Sequence, residues 1–319
     1  MTSEITLFVN PTAGRGRGAH AAQPTASALR DAGFSVRTVL GEDADDALRR
    51  AREAVAAGTG ALIAVGGDGL MSLALQAVAG TATPLGVVAV GTGNDFARTL
   101  GLPVRDPAAA GRLAARALKE GGLREIDLGR VGERWFGTVL ASGFDSRVND
   151  RGNRMRFVGG RFKYDLAILA ELAAFRPIPY RLRFDGGEPV ETEATLIAVG
   201  NGTTYGGGMR ICAGAKTDDG LFDVTVVGPC TRATLLKVFP RVYRGTHLDH
   251  PAVTVHRVSS IELAAAGITA YADGEPMGPL PLTATCVPGA VRVLTGGWPV
   301  PPGEIQARLK IGLTVGGGG

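Results

Sequence analysis

Short apolar runs alternate with amphipathic stretches over the first 120 residues, and this alternation is the strongest constraint on the fold. GALIAV (60–65) and PLGVVAV (84–90) are continuously apolar, as strands buried on both faces of a sheet are. Helical stretches cover 43–58, 70–80 and 106–122, and the last begins with Asp-Pro and ends at Gly-Gly. The alternation predicts an α/β domain with an open, mostly parallel sheet and helices on both faces.

The rest of the chain has a different pattern. Most segments are predicted strands separated by Gly, Asp and Pro turns, and Asp185-Gly186-Gly187 indicates a hairpin loop. Helices are predicted around 163–175 and 232–243. We therefore expect an α/β domain over 1–126, a β-rich, β-sandwich-like domain over 127–300, and a C-terminal segment over 301–319 with a flexible glycine tail.

Composition excludes several classes of protein. The net charge of +4 is too weakly basic to indicate a nucleic-acid partner, but it suits an anionic ligand or membrane face. Three cysteines without a C-x-x-C motif argue against a disulfide framework or a zinc site. With no signal-peptide pattern and no apolar run of about 20 residues, the sequence predicts a cytoplasmic protein that associates peripherally with the inner face of the membrane.

Three glycine-rich segments follow predicted parallel strands: NPTAGRGRG (10–18), GGDGL (66–70) and GTGNDFAR (91–98). Ligands of open α/β sheets bind at the carboxyl ends of the strands, where glycines let backbone N–H groups approach a phosphate. None of the segments is a Walker or a good Rossmann motif. Asp68 would repel bound phosphates unless a cation lay between them, which favours a divalent metal and a nucleoside triphosphate.

The order NPTAG, GGDG, GTGNDFAR, DDGLFDV and DGEP resembles the diacylglycerol kinase catalytic family of soluble bacterial lipid kinases, to whose wider group sphingosine and ceramide kinases belong. The resemblance implies two domains with ATP and Mg²⁺ in the interdomain cleft. By the same resemblance, the nucleotide-binding residues are Asn10, Pro11, Thr12, Ala13, Gly14, Gly66, Gly67, Asp68, Gly69, Leu70, Thr92, Asn94 and Asp95.

Further roles also follow from the resemblance. The family's general base falls in the DGEP stretch, where Asp273 is the preferred candidate and Glu275 is its partner or replacement. Asp68 is assigned to catalysis through a cation. A structural Mg²⁺ is expected at Asp219 with the backbone carbonyls of Lys216 and Leu221, because oxygen ligands suit Mg²⁺.

The sequence departs from the family pattern at two places. Leu70 stands where a Thr is usual, and Ser72 and Leu73 stand in place of an Asn-Glu pair. Gly41 stands where a nucleotide-contacting Thr is common. We expect altered nucleotide affinity rather than loss of binding, because backbone N–H groups hold phosphates whatever the side chain.

The resemblance implies an ATP-dependent lipid kinase that converts diacylglycerol to phosphatidate. The alternatives are a kinase of phosphatidylglycerol, of a sphingoid or ceramide lipid or of NAD, and a non-catalytic nucleotide-binding regulator. The strip at 147–163 interleaves basic and apolar side chains, which suggests docking on an anionic membrane surface. The expected partners are therefore a diacylglycerol-like membrane lipid and that surface, with no nucleic acid; a homodimer is left open.

Overall fold

A computed structural model describes residues 4–143 and 177–296 of the chain. The strip at 147–163, the helix predicted around 163–175 and the C-terminal segment lie outside the described residues. The first lobe consists of β1 (Glu4–Val9), α1 (Ala13–Asp31), β2 (Ser35–Val39), α2 (Ala44–Ala56), β3 (Leu62–Gly66), α3 (Asp68–Val78), β4 (Leu85–Ala89), α4 (Asp95–Thr99) and α5 (Pro107–Glu120).

The strands of the first lobe form a parallel sheet in the order β2-β1-β3-β4 with helices on both faces, as the alternation predicts. Successive side chains of a strand point to opposite faces. In β3, Leu62 and Ala64 join the core under α2 and α3, whereas Ile63 and Val65 join the core under α1 and α5. The apolar run of β3 is therefore continuous because its two faces pack into two different cores.

Two helices begin at the capping residues that the sequence predicts, whereas a third forms through packing despite an unfavourable sequence. Asp43 and Asp106 cap α2 and α5, accepting from the backbone N–H groups of Asp46 and Ala109. Helix α1 begins at Ala13, so the glycine-rich segment predicted as a turn through residue 18 becomes helical much earlier. Its interior Gly and Pro residues disfavour a helix, but burial against α5 outweighs that preference.

The second lobe is a β-sandwich. Its elements are β5 (Leu123–Val131), β6 (Arg134–Phe136), β7 (Val139–Gly143), β8 (Ile178–Phe184), β9 (Val190–Ala194), β10 (Leu196–Gly200), β11 (Phe222–Val227), α6 (Arg232–Val242), β12 (Val253–Val258), β13 (Ser260–Ala264), β14 (Thr269–Ala272), β15 (Glu275–Pro279) and β16 (Leu282–Leu294). A sheet in the order β12-β11-β10-β7-β14-β15 faces β16, β13, β8 and β9 across a core that includes Phe136, Tyr180 and Phe222. The predicted hairpin at 185–187 joins β8 to β9.

Strand β16 joins the two lobes. Its first half pairs with β13 in the sandwich, and its second half reaches the parallel sheet, where Val293 pairs with Leu85 of β4. Strand β5 runs antiparallel along β16, so the boundary predicted at residue 126 falls inside a strand. Within the described ranges, no helix is long and apolar enough to cross a membrane.

Candidate active site

A cleft of about 870 Å³ lies between the two lobes. The carboxyl ends of the parallel strands form one wall, and the second lobe forms the other. Residues from all three glycine-rich segments reach this space, together with the predicted base. The lining includes Gly14, Arg17, Asp68, Thr92, Gly93, Asp95 and Arg105 from the first lobe and Thr138, Tyr205, Tyr243, Tyr271 and Asp273 from the second.

The first glycine-rich segment is shaped by its own turn and by the backbone that follows β4. Asn10 Oδ1 accepts from the backbone N–H and the hydroxyl of Thr12, at 3.0 and 2.8 Å. Pro11 and Thr12 are exposed, and Ala13 opens α1. Gly14 has φ +60°, and a Cβ there would lie 2.2 Å from the carbonyl oxygen of Val90. A glycine is therefore required where this backbone meets the cleft.

Asp68 ties the second segment to the third. Gly66 ends β3, Gly67 precedes the first turn of α3, and Asp68 is the first residue of that helix. Its carboxylate accepts from the backbone N–H groups of Asn94 at 2.8 Å and Asp95 at 2.9 Å. This side chain therefore sets the shape of the 91–95 loop, a role that the sequence did not indicate.

Asp95 joins the two lobes across the cleft. Its carboxylate accepts from the backbone N–H groups of Gly207 at 2.7 Å and Gly208 at 2.8 Å. The side chain is 7% exposed. Burial and, to a smaller extent, nearby Asp68 raise the pKa of Asp95 to about 6, although the two backbone donors lower it.

The raised pKa predicts a pH-dependent stability. The contribution of Asp95 is fully present below about pH 3.8 and is lost as the pH rises through about 6, because the native state binds the proton more tightly than the unfolded chain. Asp95→Asn stays neutral. Relative to that variant, the wild-type free energy of unfolding should fall by on the order of 3 kcal/mol between about pH 4 and pH 7. Urea unfolding across this range measures the difference, and parallel curves would contradict the assignment.

Asp273 is fixed on the wall that the second lobe forms. Its backbone is left-handed at φ 52°, which is uncommon for a residue other than glycine and is concentrated at functional sites. The carboxylate accepts from the backbone N–H groups of Gly137 at 2.7 Å and Thr138 at 3.0 Å, and also from the Thr138 hydroxyl. Burial raises the pKa of Asp273 above its usual range, against these donors.

Glu275 has a different position from Asp273. It is exposed at the start of β15 and does not line the cleft. Its carboxylate lies near Gly69 at the first turn of α3, where a Cβ built on that glycine would be 3.8 Å from Glu275 Oε1. The geometry therefore favours Asp273 as the group that meets a bound hydroxyl.

Two arginines that the sequence reading missed line the same cleft. Arg17 Nε and Nη2 donate to the carbonyl oxygens of Gly14 at 2.8 Å and Gly91 at 3.3 Å. Arg105 Nη2 donates to the carbonyl oxygen of Thr92 at 3.1 Å. Neither takes part in an ion pair among the described residues. Arg17 lies within the glycine-rich segment 10–18, which already predicts its place near a phosphate, whereas nothing in the local sequence indicates a role for Arg105.

The departures from the family pattern have structural causes. Leu70 is 5% exposed and packs in the core under α3, so its side chain does not line the cleft. Ser72 does line it. A Cβ at Gly41 would lie 2.4 Å from the Cα of Ala47, so α2 packs too closely for a Thr at this position. The side chain of Asn94 is buried, and its Oδ1 has no hydrogen-bond partner within residues 4–143 and 177–296.

The predicted structural metal site is occupied by protein contacts. Asp219 Oδ1 accepts from the backbone N–H of Leu221 at 3.2 Å, and Oδ2 pairs with the guanidinium of Arg257. Lys216 is exposed. A cation bound to Asp219 would have to displace the guanidinium of Arg257, so these contacts do not fit a cation. The Mg²⁺ assignment stays a prediction. In the part of the chain that the structure describes, no three His, Cys, Asp or Glu side chains gather into a metal-holding group.

Comparison with known proteins identifies the family. The model of the diacylglycerol kinase catalytic domain matches residues 4–131, and that of the YegS C-terminal NAD kinase beta sandwich-like domain matches residues 138–295. A protein of Mycobacterium tuberculosis named "Diacylglycerol kinase" is 44% identical over 296 residues, which cover 91% of this chain and 94% of that protein. The chain belongs to the diacylglycerol kinase family.

Another relative is similar in sequence, and two solved structures are similar in fold. A Pseudomonas fluorescens protein named "Probable lipid kinase YegS-like" is 34% identical, over 83% of this chain and 87% of that protein. The crystal structure of a diacylglycerol kinase of Bacillus anthracis has a TM-score of 0.69 at 21% identity and covers 92% of this chain and 97% of that one. An Archaeoglobus fulgidus NAD kinase in complex with ATP has a TM-score of 0.53 at 12% identity, covering 99% and 100%, which shows a shared fold only.

Proposed function

We propose that this protein is an ATP-dependent lipid kinase that phosphorylates diacylglycerol to phosphatidate. The observation that carries the proposal is the position of Asp273. A carboxylate with a raised pKa is fixed by three donors in the cleft, opposite the glycine-rich backbone of the first lobe. A base on one wall and a phosphate-binding surface on the other suit transfer of a phosphoryl group to an alcohol.

In the proposed reaction, Asp273 orients the acceptor hydroxyl and takes its proton. The hydroxyl oxygen forms a bond to the γ-phosphorus of ATP while the bond from that phosphorus to the bridging oxygen breaks, and ADP leaves. A raised pKa makes the carboxylate a stronger base. The donors from Gly137 and Thr138 keep it aimed into the cleft, so little reorganisation is needed at the moment of transfer.

The first lobe supplies the nucleotide side. Backbone groups of Gly14 and Gly93 and the guanidinium groups of Arg17 and Arg105 surround the space where the phosphates would lie. Mg²⁺, when bound, would neutralise charge on those phosphates. Asp68 fits it as one protein ligand, since its carboxylate accepts two backbone bonds but has further lone pairs, and Mg²⁺ commonly takes one or two carboxylates besides phosphates.

Replacing both arginines should weaken nucleotide binding selectively. We expect Arg17→Gln with Arg105→Gln to raise the KM for ATP by roughly tenfold or more, because a charge-assisted bond contributes about 1.5–3 kcal/mol. The KM for lipid should stay near normal, and ATP affinity should fall more than AMP affinity. Arg116→Gln is the matched control, because Arg116 also donates to a backbone carbonyl but lies outside the cleft. Equal losses for AMP and ATP would contradict phosphate contact.

The second lobe offers the acceptor side. Val139, Ala141, Tyr205, Tyr243 and Tyr271 give this wall an apolar and aromatic surface next to Asp273. An acyl-glycerol suits such a wall because its chains seek apolar contact while its free hydroxyl remains available to the base.

Turnover of radiolabelled ATP tests the proposed function. Detergent micelles should carry diacylglycerol, phosphatidylglycerol, ceramide or sphingosine in parallel reactions, with NAD as a separate acceptor. We expect label in phosphatidate. Label in another lipid would change the substrate, label in NADP would replace the function, and ATP binding without transfer to any acceptor would leave a nucleotide-binding regulator.

A further inference from the structure

We propose that helix α6 is the surface by which this protein docks on an anionic lipid bilayer, with its C-terminal end next to the mouth of the cleft. The inference rests on the proposed function, because a kinase of diacylglycerol must take its acceptor from a membrane. It assigns that contact to described residues of the second lobe, where the sequence pattern had suggested only the strip at 147–163.

One face of α6 packs on the protein. Val242 is buried and Phe239 is partly buried, and both join a cluster with Met209, Ile211 and Cys212. Because an α-helix turns by about 100° per residue, Lys237 lies on the opposite side of the helix from Phe239 and Val242. Lys237 is exposed, and so is Arg244, which follows the last turn.

The outward face carries charge of one sign. Residues 231–248 contain Arg232, Lys237, Arg241 and Arg244 and no Asp or Glu. The guanidinium of Arg241 donates to the carbonyl oxygen of Thr246. Neither Lys237 nor Arg244 takes part in an ion pair among the described residues.

Some other exposed arginines of this chain are paired with acidic side chains. Arg49 pairs with Asp46 and Glu53 on α2, and Arg257 pairs with Asp219. The outward face of α6 therefore differs from those surfaces in keeping positive charge without an acidic partner. Such a cluster is complementary to anionic headgroups, because each basic residue near the surface of an anionic membrane adds to the electrostatic attraction.

Tyr243 connects the basic face to the cleft. It directly follows α6, is 40% exposed, and also lines the cleft. Its ring lies edge-on to Phe239, with 6.1 Å between centroids. Tyr side chains favour the membrane interface because their rings are apolar and their hydroxyls are polar. A bilayer against α6 would therefore place its lipids beside the apolar wall of the second lobe.

Sedimentation with vesicles tests the charge contribution. We expect Lys237→Glu with Arg244→Glu to lower affinity for phosphatidylcholine vesicles containing phosphatidylglycerol by roughly tenfold or more, and the loss should shrink at high salt. Arg112→Glu with Lys119→Glu is the matched control, since it changes the same residue types at the same spacing on exposed positions of α5. Thermal melts check that both variants fold. Equal loss in both variants, or no loss in either, overturns the assignment.

A fluorescence reporter tests the placement of Tyr243 without relying on activity. Tryptophan emission of Tyr243→Trp, after subtraction of the wild-type signal, should shift to the blue when anionic vesicles are added, because the ring enters a less polar environment. Pure phosphatidylcholine vesicles should cause little change. If the protein sediments with anionic vesicles but the emission does not move, docking occurs elsewhere and the inference is wrong.

Activity on a water-soluble, short-chain diacylglycerol separates this inference from the proposed function. We expect the α6 variant to phosphorylate the soluble acceptor normally while its KM for vesicle-borne lipid rises. Failure of the wild type to phosphorylate any lipid overturns both the proposed function and this inference. Normal wild-type turnover together with unchanged vesicle KM in the α6 variant overturns the inference alone.

Discussion

Asp273→Asn is expected to lower turnover by roughly 10²-fold or more while leaving ATP affinity little changed. Asn keeps the size of the side chain and tolerates the left-handed backbone at this position, but it cannot accept the proton of the acceptor hydroxyl. Steady-state kinetics with radiolabelled ATP, alongside a direct nucleotide titration, separate the chemical step from binding.

Glu275→Gln is the control for this experiment. Because Glu275 is exposed and lies outside the cleft lining, its replacement should cost much less turnover than the replacement of Asp273. A variant of Asp273 with wild-type turnover would remove it as the base. A larger loss at Glu275 than at Asp273 would exchange their roles.

Asp68→Ala is expected to abolish measurable turnover and to weaken nucleotide binding. The substitution leaves the N–H groups of Asn94 and Asp95 without their acceptor, and an unsatisfied buried donor costs about 1–3 kcal/mol. The 91–95 loop would then shift. A misplacement of about 1 Å in a site of this kind can cost 10²-fold in rate.

Calorimetric titration with ATP, in the presence and absence of Mg²⁺, distinguishes the two roles of Asp68. If the carboxylate serves only the loop, affinity should fall equally in both conditions. If it also holds the metal, the loss should be greater with Mg²⁺. Unchanged affinity in both conditions, together with an unchanged melting temperature, would contradict both roles.

Much of the first lobe could be predicted because its determinants are local. The apolar runs of β3 and β4, the Asp caps of α2 and α5 and the glycines after the strands are each visible in a few consecutive residues. Helix α1 could not be predicted in the same way, because its glycines and Pro24 lower its intrinsic helix propensity. Burial against α5 compensates for this.

The roles of the cleft residues could not be predicted from the sequence, because they depend on contacts between distant parts of the chain. Motif order alone indicated Asp68 and Asp273, but their different functions follow from partners far away in sequence: the 91–95 loop for the first, and Gly137 and Thr138 for the second. The choice of Asp273 over Glu275 could not be made from two carboxylates two residues apart. It required knowing which of them faces the cleft.

The sequence by itself determined the fold class, the family resemblance and the glycine-rich segments. These follow from short-range periodicity and from the order of motifs along the chain, and neither depends on the tertiary structure. Only the tertiary structure decided that Leu70 packs in the core and that α2 leaves no room for a side chain at Gly41. It also decided that Arg17 and Arg105 line the cleft. It also decided that the last strand, β16, returns to the first sheet and joins the lobes. The physical reason is common to all of these: burial and pairing depend on which surfaces meet, and residues far apart in the chain supply those surfaces.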